Sequence, residues 1–199
     1  MDIASERAKA VAETVARIRA IEAEQGVTRA ALDDIRAALI ALAARRELFP
    51  AETFSPPESG RDGRLYLLSE DEDHRFALYL NCATDDKNTP PHDHATWAVV
   101  VAVEGEEHNR IYEIVGDDED PETARVRVAR EITIRPGVGV CLMPHDIHSI
   151  HMSGPEPKMH LHMYGLAIPH QTRRRRFDLE GGGFRHFAAH PDIRDARAG

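Results

Sequence analysis

The chain has 199 residues, within reach of one domain, and at that length it can bury roughly 70% of its unfolded surface without staples. Lys and Arg number 25 against 34 Asp and Glu, a formal net charge of −9, which argues against a general nucleic-acid or anionic-membrane surface. Two cysteines fit a reducing compartment, no apolar run approaches the roughly 20 residues a bilayer needs, and the charged "MDIASERAKA" start has no apolar signal core, so a cytoplasmic protein is expected.

Residues 4–24 are predicted to form a helix from the spacing of Val11, Val15, Ile18 and Ile21, ended by Gly26. A second helix is predicted over 28–48, with Thr28 as its cap and Leu32, Ile35, Leu39 and Leu42 on one face. Pro50 and "SPPESGRDG" break the helical period. Beyond Gly63 the pattern is strand-like: "RLYLLSE", "RFALYLNCA", "TWAVVVAVEG", "NRIYEIVG", "ARVRVAREITI", "GVGVCLMP" and "KMHLHMYGLA". Turn-forming stretches separate them, among them the acidic "GDDEDPE", expected to be a solvated tip. Many short strands behind a helical pair suggest one β-barrel or sandwich with helices packed outside. The helical pair spans 1–50, the barrel 63–187, and the polar tail 188–199 is expected to be loose.

The main compositional signal is histidine. Six of the twelve fall between His145 and His170. Upstream, "NTPPHDHATWAVVV" places His92 and His94 two residues apart at the mouth of the most apolar strand. If the strand begins near Pro91, strand periodicity puts both imidazoles on one face, where they can chelate one metal ion. A third ligand is needed to make that case, and "RPGVGVCLMPHDIHSIHM" offers His145, His148 and His151. In "KMHLHMYG", His160, His162 and Tyr164 share one strand face while Met159, Leu161 and Met163 fill the other.

These motifs resemble the cupin superfamily. "HDHATWAVVVAVEG" is similar to its first motif, a histidine pair followed by a strand and a glycine, here Gly105; "RPGVGVCLMPHDIH" is similar to its second. The resemblance implies a mainly β, double-stranded β-helix (jelly-roll-like) barrel, with His148 as the third ligand beside His92 and His94. The usual cupin glutamate after the histidine pair is missing, since Thr96, Trp97, Ala98 and Val99 stand there. Three neutral imidazoles suit Fe, Zn, Cu or Ni, and leave a bound divalent ion its full charge for an anionic substrate.

Over residues 63–177 the chain resembles the thiol dioxygenases, the cysteine dioxygenase type of cupin. That resemblance implies Fe(II) on His92, His94 and His148, and insertion of both atoms of O₂ into a small thiol to give a sulfinic acid. It implies that His162 and Tyr164 orient substrate and oxygen, with His160 standing where the family has serine. Val99 occupies the position of the cysteine that cross-links to the tyrosine in some members, so no cross-link is expected. "TPPHDHATW" looks closest to the bacterial 3-mercaptopropionate dioxygenase branch. The family's carboxylate anchor is an arginine. Arg64 stands roughly where cysteine dioxygenases carry theirs, and Arg173, in "HQTRRRRF", where the second branch does, the arginine run leaving its register open by one or two residues. Two inward arginines would suit mercaptosuccinate; one would suit cysteine or 3-mercaptopropionate. Competing readings are another metal-dependent cupin enzyme, acting as a carbon-substrate dioxygenase or an isomerase, and a non-catalytic small-molecule-binding cupin.

Overall fold

A computed structural model describes residues 2–56, 63–83, 87–116, 120–154, 156–189 and 192–197. Helix α1 is Ile3–Gln25, capped by the Asp2 carboxylate, which accepts from the Ser5 amide at 2.9 Å, and closed by Gly26 at φ 66°. Helix α2 is Arg29–Ala43, and its cap is Thr28 as expected, the hydroxyl accepting from the Ala31 amide at 3.1 Å. It ends five residues before the predicted boundary. Arg46–Leu48 is a separate 3₁₀ turn, the tighter winding that commonly closes a chain before a proline such as Pro50.

Twelve strands follow among the described residues: β1 Arg64–Ser69, β2 Arg75–Ala83, β3 Lys87–Asn88, β4 Ala98–Glu104, β5 Glu107–Ile114, β6 Val126–Ile134, β7 Gly139–Leu142, β8 Ile147–Met152, β9 Lys158–Leu166, β10 Arg174–Phe177, β11 Phe184–Phe187 and β12 Ile193–Asp195. One sheet runs β12-β1-β2-β9-β4-β7 and a second runs β3-β8-β5-β6, with β10-β11 a separate hairpin. The fold is mainly β, two sheets enclosing a shared core with two outer helices, and in this it follows the sequence prediction.

Strand alternation divides the long sheet into two faces. Leu78, Leu80, Val99, Val101, Leu161 and Met163 pack against Leu32, Ile35, Leu39 and Leu42 of α2 in one core cluster. The opposite parity, including Tyr79, Ala98, Val100 and Tyr164, packs with Ile111 and Ile134 of the short sheet, so this face lines the barrel interior. Trp97 sits with the outer cluster and donates to the Glu22 carboxylate of α1 at 2.9 Å. Gly165 follows Tyr164 because a Cβ there would collide with the Trp97 indole and the Thr96 hydroxyl.

The segments read as strands from the sequence do not include β3, β8, β10, β11 or β12. The tail expected to be loose from residue 188 contributes β12, parallel to β1 with Leu65 opposite Ile193. Ile193 is half-buried on the inner cluster, and the Ala196 amide donates to the Leu67 carbonyl at 2.9 Å; edge pairing outweighs the polarity of the segment. Residues 57–62 of the link after the helices, 84–86 of the "TDDK" turn, 117–119 of the acidic tip, 155, and 190–191 and 198–199 of the tail lie outside the described residues. Among the described residues no helix is long and apolar enough to cross a membrane.

Candidate metal centre

His92, His94 and His148 come together in the barrel, all three buried, with one ring nitrogen of each within 4.8 Å of the others. The histidine pair does not lie on a strand, since β4 begins at Ala98. His92 instead forms an isolated bridge with His148: each backbone N–H donates to the other's carbonyl at 2.9 Å. Asp93 is fixed by β10. Its amide donates to the Arg175 carbonyl at 3.1 Å, and its carboxylate accepts from the Arg175 amide at 2.8 Å and the Arg175 guanidinium at 2.7 Å. Ala95, at φ 53°, adopts the left-handed conformation just after His94, where the chain turns toward β4. His145 is exposed, 3.7 Å from Asp93, and His151 bonds Ser149 and Asn88. Neither belongs to the cluster.

The hydrogen bonds assign the imidazole tautomers. His92 Nδ1 lies 2.9 Å from the Pro90 carbonyl, which can only accept, so Nδ1 carries the proton. The Asn109 amide group donates to the Glu107 carboxylate at 2.7 Å, so the Asn109 oxygen faces His148 Nδ1 and accepts from it at 2.8 Å. Both histidines therefore present an unprotonated Nε2. His94 Nε2 lies 3.0 Å from that Nε2 of His148. If both are unprotonated their lone pairs repel; if His94 Nε2 donates, its Nδ1 is left buried without a hydrogen bond. A cation between them removes both penalties, each of which is on the order of 1–3 kcal/mol for a buried unsatisfied group. Burial pushes the His148 pKa down to about 4 and, reinforced by Arg174, holds His94 well below the ordinary histidine value. Imidazoles whose Nδ1 is held by a carbonyl or amide, as in His92 and His148, are good ligands for Fe, Zn, Cu or Ni. The donor set fits a divalent transition metal.

Tyr164 stands beside the cluster, its ring centroid 5.2 Å from that of His94, and its hydroxyl is 3.1 Å from His162 Nδ1. Burial raises the Tyr164 pKa, keeping it a phenol at neutral pH. His162 and Tyr164 both stand beside the histidine cluster. The two candidate arginines do not. Arg64 lies opposite Cys82 and shares its outward parity with Tyr66; it reaches the Asp192 carboxylate at 3.3 Å and the Ser55 carbonyl at 3.4 Å, away from the histidines. Arg173 is exposed just ahead of β10. The inward arginine is its neighbour Arg174, the first residue of β10, which is 7% exposed. Arg174 donates to the Asp93 carbonyl at 3.3 Å and lies 4.9 Å above the Phe187 ring. Among the described residues it has no carboxylate partner within 4.0 Å, and burial lowers its pKa, the mark of a desolvated cation.

Two further polar residues were not singled out from the sequence. Glu107 and Asn109 begin β5 and are fully buried on the inward parity. His160 Nδ1 lies 3.4 Å from the other Glu107 oxygen. The signal was present: "EEHNRIYE" puts Glu107, Asn109 and Ile111 on one face, an apolar face that carries an acid.

No family model matches the chain, and no curated protein matches its sequence. Solved structures resemble it in fold. A conserved protein with a double-stranded β-helix domain from Klebsiella pneumoniae is 13% identical, with 71% of this chain and 91% of that one covered and a TM-score of 0.44. A cupin superfamily protein from Desulfitobacterium hafniense is 16% identical over 61% of this chain and 87% of that one, with a TM-score of 0.41. A hydroquinone 1,2-dioxygenase from Sphingomonas sp. TTNP3 is 14% identical over 52% of this chain and 65% of that one, with a TM-score of 0.40. Likeness at this level says nothing about activity.

Proposed function

We propose that the chain is an iron-dependent thiol dioxygenase that converts a small thiol carrying one carboxylate, with O₂, to the sulfinate. The observation that carries this reading is a buried cation with no carboxylate partner among the described residues, Arg174, beside three buried imidazoles. A desolvated guanidinium is costly to keep unless an anion completes it. Its fork suits a carboxylate. Because Arg64 faces outward, one anchor is available, which suits cysteine or 3-mercaptopropionate over mercaptosuccinate.

His92, His94 and His148 would hold Fe(II), which when bound supplies the open coordination positions and electron transfer that thiolate and O₂ need. Arg174 holds the carboxylate and so sets where the sulfur lies. Tyr164, kept protonated, donates a hydrogen bond toward the reacting oxygen or sulfur, while His162 orients its hydroxyl. The sum is RS⁻ + O₂ → RSO₂⁻: the O–O bond breaks, two S–O bonds form, sulfur loses four electrons, O₂ gains them, and no proton is consumed.

Iron-loaded protein should consume O₂ with cysteine or 3-mercaptopropionate, form the sulfinate by mass spectrometry, and ignore cysteamine, which has no carboxylate. Tyr164→Phe should keep its iron and lose on the order of 10²-fold in turnover. Fully metallated protein that consumes no O₂ with any thiol would refute the assignment.

A further inference from the structure

We propose that Glu107, His160 and His162 form a second buried metal site that takes a divalent transition-metal ion. It is separate from the His92–His94–His148 centre and stands whether or not that centre oxidises thiols. Each of the three residues offers a ligand atom within 4.8 Å of the other two, and all three are buried, with Glu107 and His160 at 0% exposure. Two imidazoles and a carboxylate are a donor set used for Fe(II) and for Zn(II).

The alternative is a bare ion pair between a charged His160 and Glu107. The Asn109 amide braces one oxygen of the buried Glu107 carboxylate, whose other oxygen calls for a cation. The separation argues against imidazolium as that cation. Charge-assisted N–H···O bonds close to about 2.7–2.9 Å. His160 Nδ1 and Glu107 Oε2 stand 3.4 Å apart, close to the spacing of about 3.3–3.4 Å between two donors on a tetrahedral ion with bonds of about 2.0–2.1 Å. Charged His160 would also bury two N–H donors, and neither ring nitrogen has a hydrogen-bond partner among the described residues. A metal-bound imidazole keeps only one. The site is braced from behind: Asn109 donates to Glu107 Oε1 at 2.7 Å, leaving Oε2 toward the histidines, and His162 already turns Nδ1 to Tyr164.

The test counts ions. The full chain, expressed in cobalt-supplemented medium and analysed by elemental mass spectrometry and visible absorption, should carry about two Co(II) per chain. His160→Ser and Glu107→Gln should each fall to about one, and His148→Ala should also fall to about one by losing the other ion, with a different residual d–d spectrum. A wild-type chain saturating at about one ion, or His160→Ser and Glu107→Gln chains that keep two, would overturn the proposal. The wild-type count and the Glu107→Gln chain decide it even if His160→Ser does not fold. A His148→Ala chain that keeps the full wild-type count would instead remove the His92–His94–His148 centre and leave this one standing.

Discussion

Replacing Arg174 by methionine separates binding from folding. Arg174 is 7% exposed with no ion pair among the described residues, so the free protein carries a desolvation cost of several kcal/mol for its guanidinium. What the free fold recovers is small. The hydrogen bond to the Asp93 carbonyl is long, at 3.3 Å, and contributes about 1 kcal/mol; the stacking over Phe187 contributes about 0.5–2 kcal/mol. Methionine fills similar volume without the charge. Arg174→Met should therefore unfold in urea at the same midpoint as the parent or higher, by up to about 2 kcal/mol. The bound state loses far more. A charge-assisted pair in a dry pocket contributes roughly 2–4 kcal/mol, so carboxylate affinity should fall about 30- to 700-fold. Calorimetric titration of the anaerobic metal-loaded protein with 3-mercaptopropionate and its methyl ester reads this directly, the ester being the control that needs no anchor. Destabilisation above about 3 kcal/mol with unchanged affinity for the acid would show that Arg174 pins the β10–β11 hairpin and anchors nothing.

Three further outcomes are expected. His148→Ala should strip the ion held with His92 and His94, while His151→Ala, which touches only Ser149 and Asn88 among the bonds shown, should keep it, as elemental analysis will report. Asn109→Ala removes the acceptor behind His148 and a donor to Glu107, so metal affinity should drop about 10- to 100-fold in competition with a chelator. In metal-free protein His148 titrates at about 4 instead of the ordinary 6.5, so the unfolded chain binds more protons between these values; stability is complete above about pH 6.5 and should fall by about 3 kcal/mol as pH drops to about 4. His94 adds loss in the same direction, and urea midpoints that do not move across that range would show that both imidazoles are charged in the fold.

The barrel and the histidines were legible because both rest on short-range pattern. Alternation in "KMHLHMYG" is enough to put His162 and Tyr164 inward and Met163 under the helices, whichever strands turn out to be neighbours. The inward arginine was not legible for the opposite reason. Arg64 opens a strand whose inward and outward faces follow from its pairing with β2, and nothing within "GRLYLL" states that register. In "RRRR" no apolar alternation marks a strand, so the one-residue shift from Arg173 to Arg174 had no local signal. Glu107 and Asn109 were overlooked because a charged residue at a strand start ordinarily faces water, and only β5's position between β6 and β8 closes that route.

The reciprocal backbone bonds between His92 and His148 have a bearing on the order of assembly. Two of the three imidazoles hang from one rung of sheet-like ladder, and the Pro91–Asp93 stretch is clamped on its other side by β10, through Phe177 to the Pro91 carbonyl at 2.9 Å. Their spacing is thus set by main-chain pairing before any ion arrives. Such a centre does not need metal to fold around, unlike a zinc finger whose apo chain is disordered. The apoprotein should be an already shaped receptor that loads after the barrel has closed, and the ion can be exchanged for another without the chain losing its place.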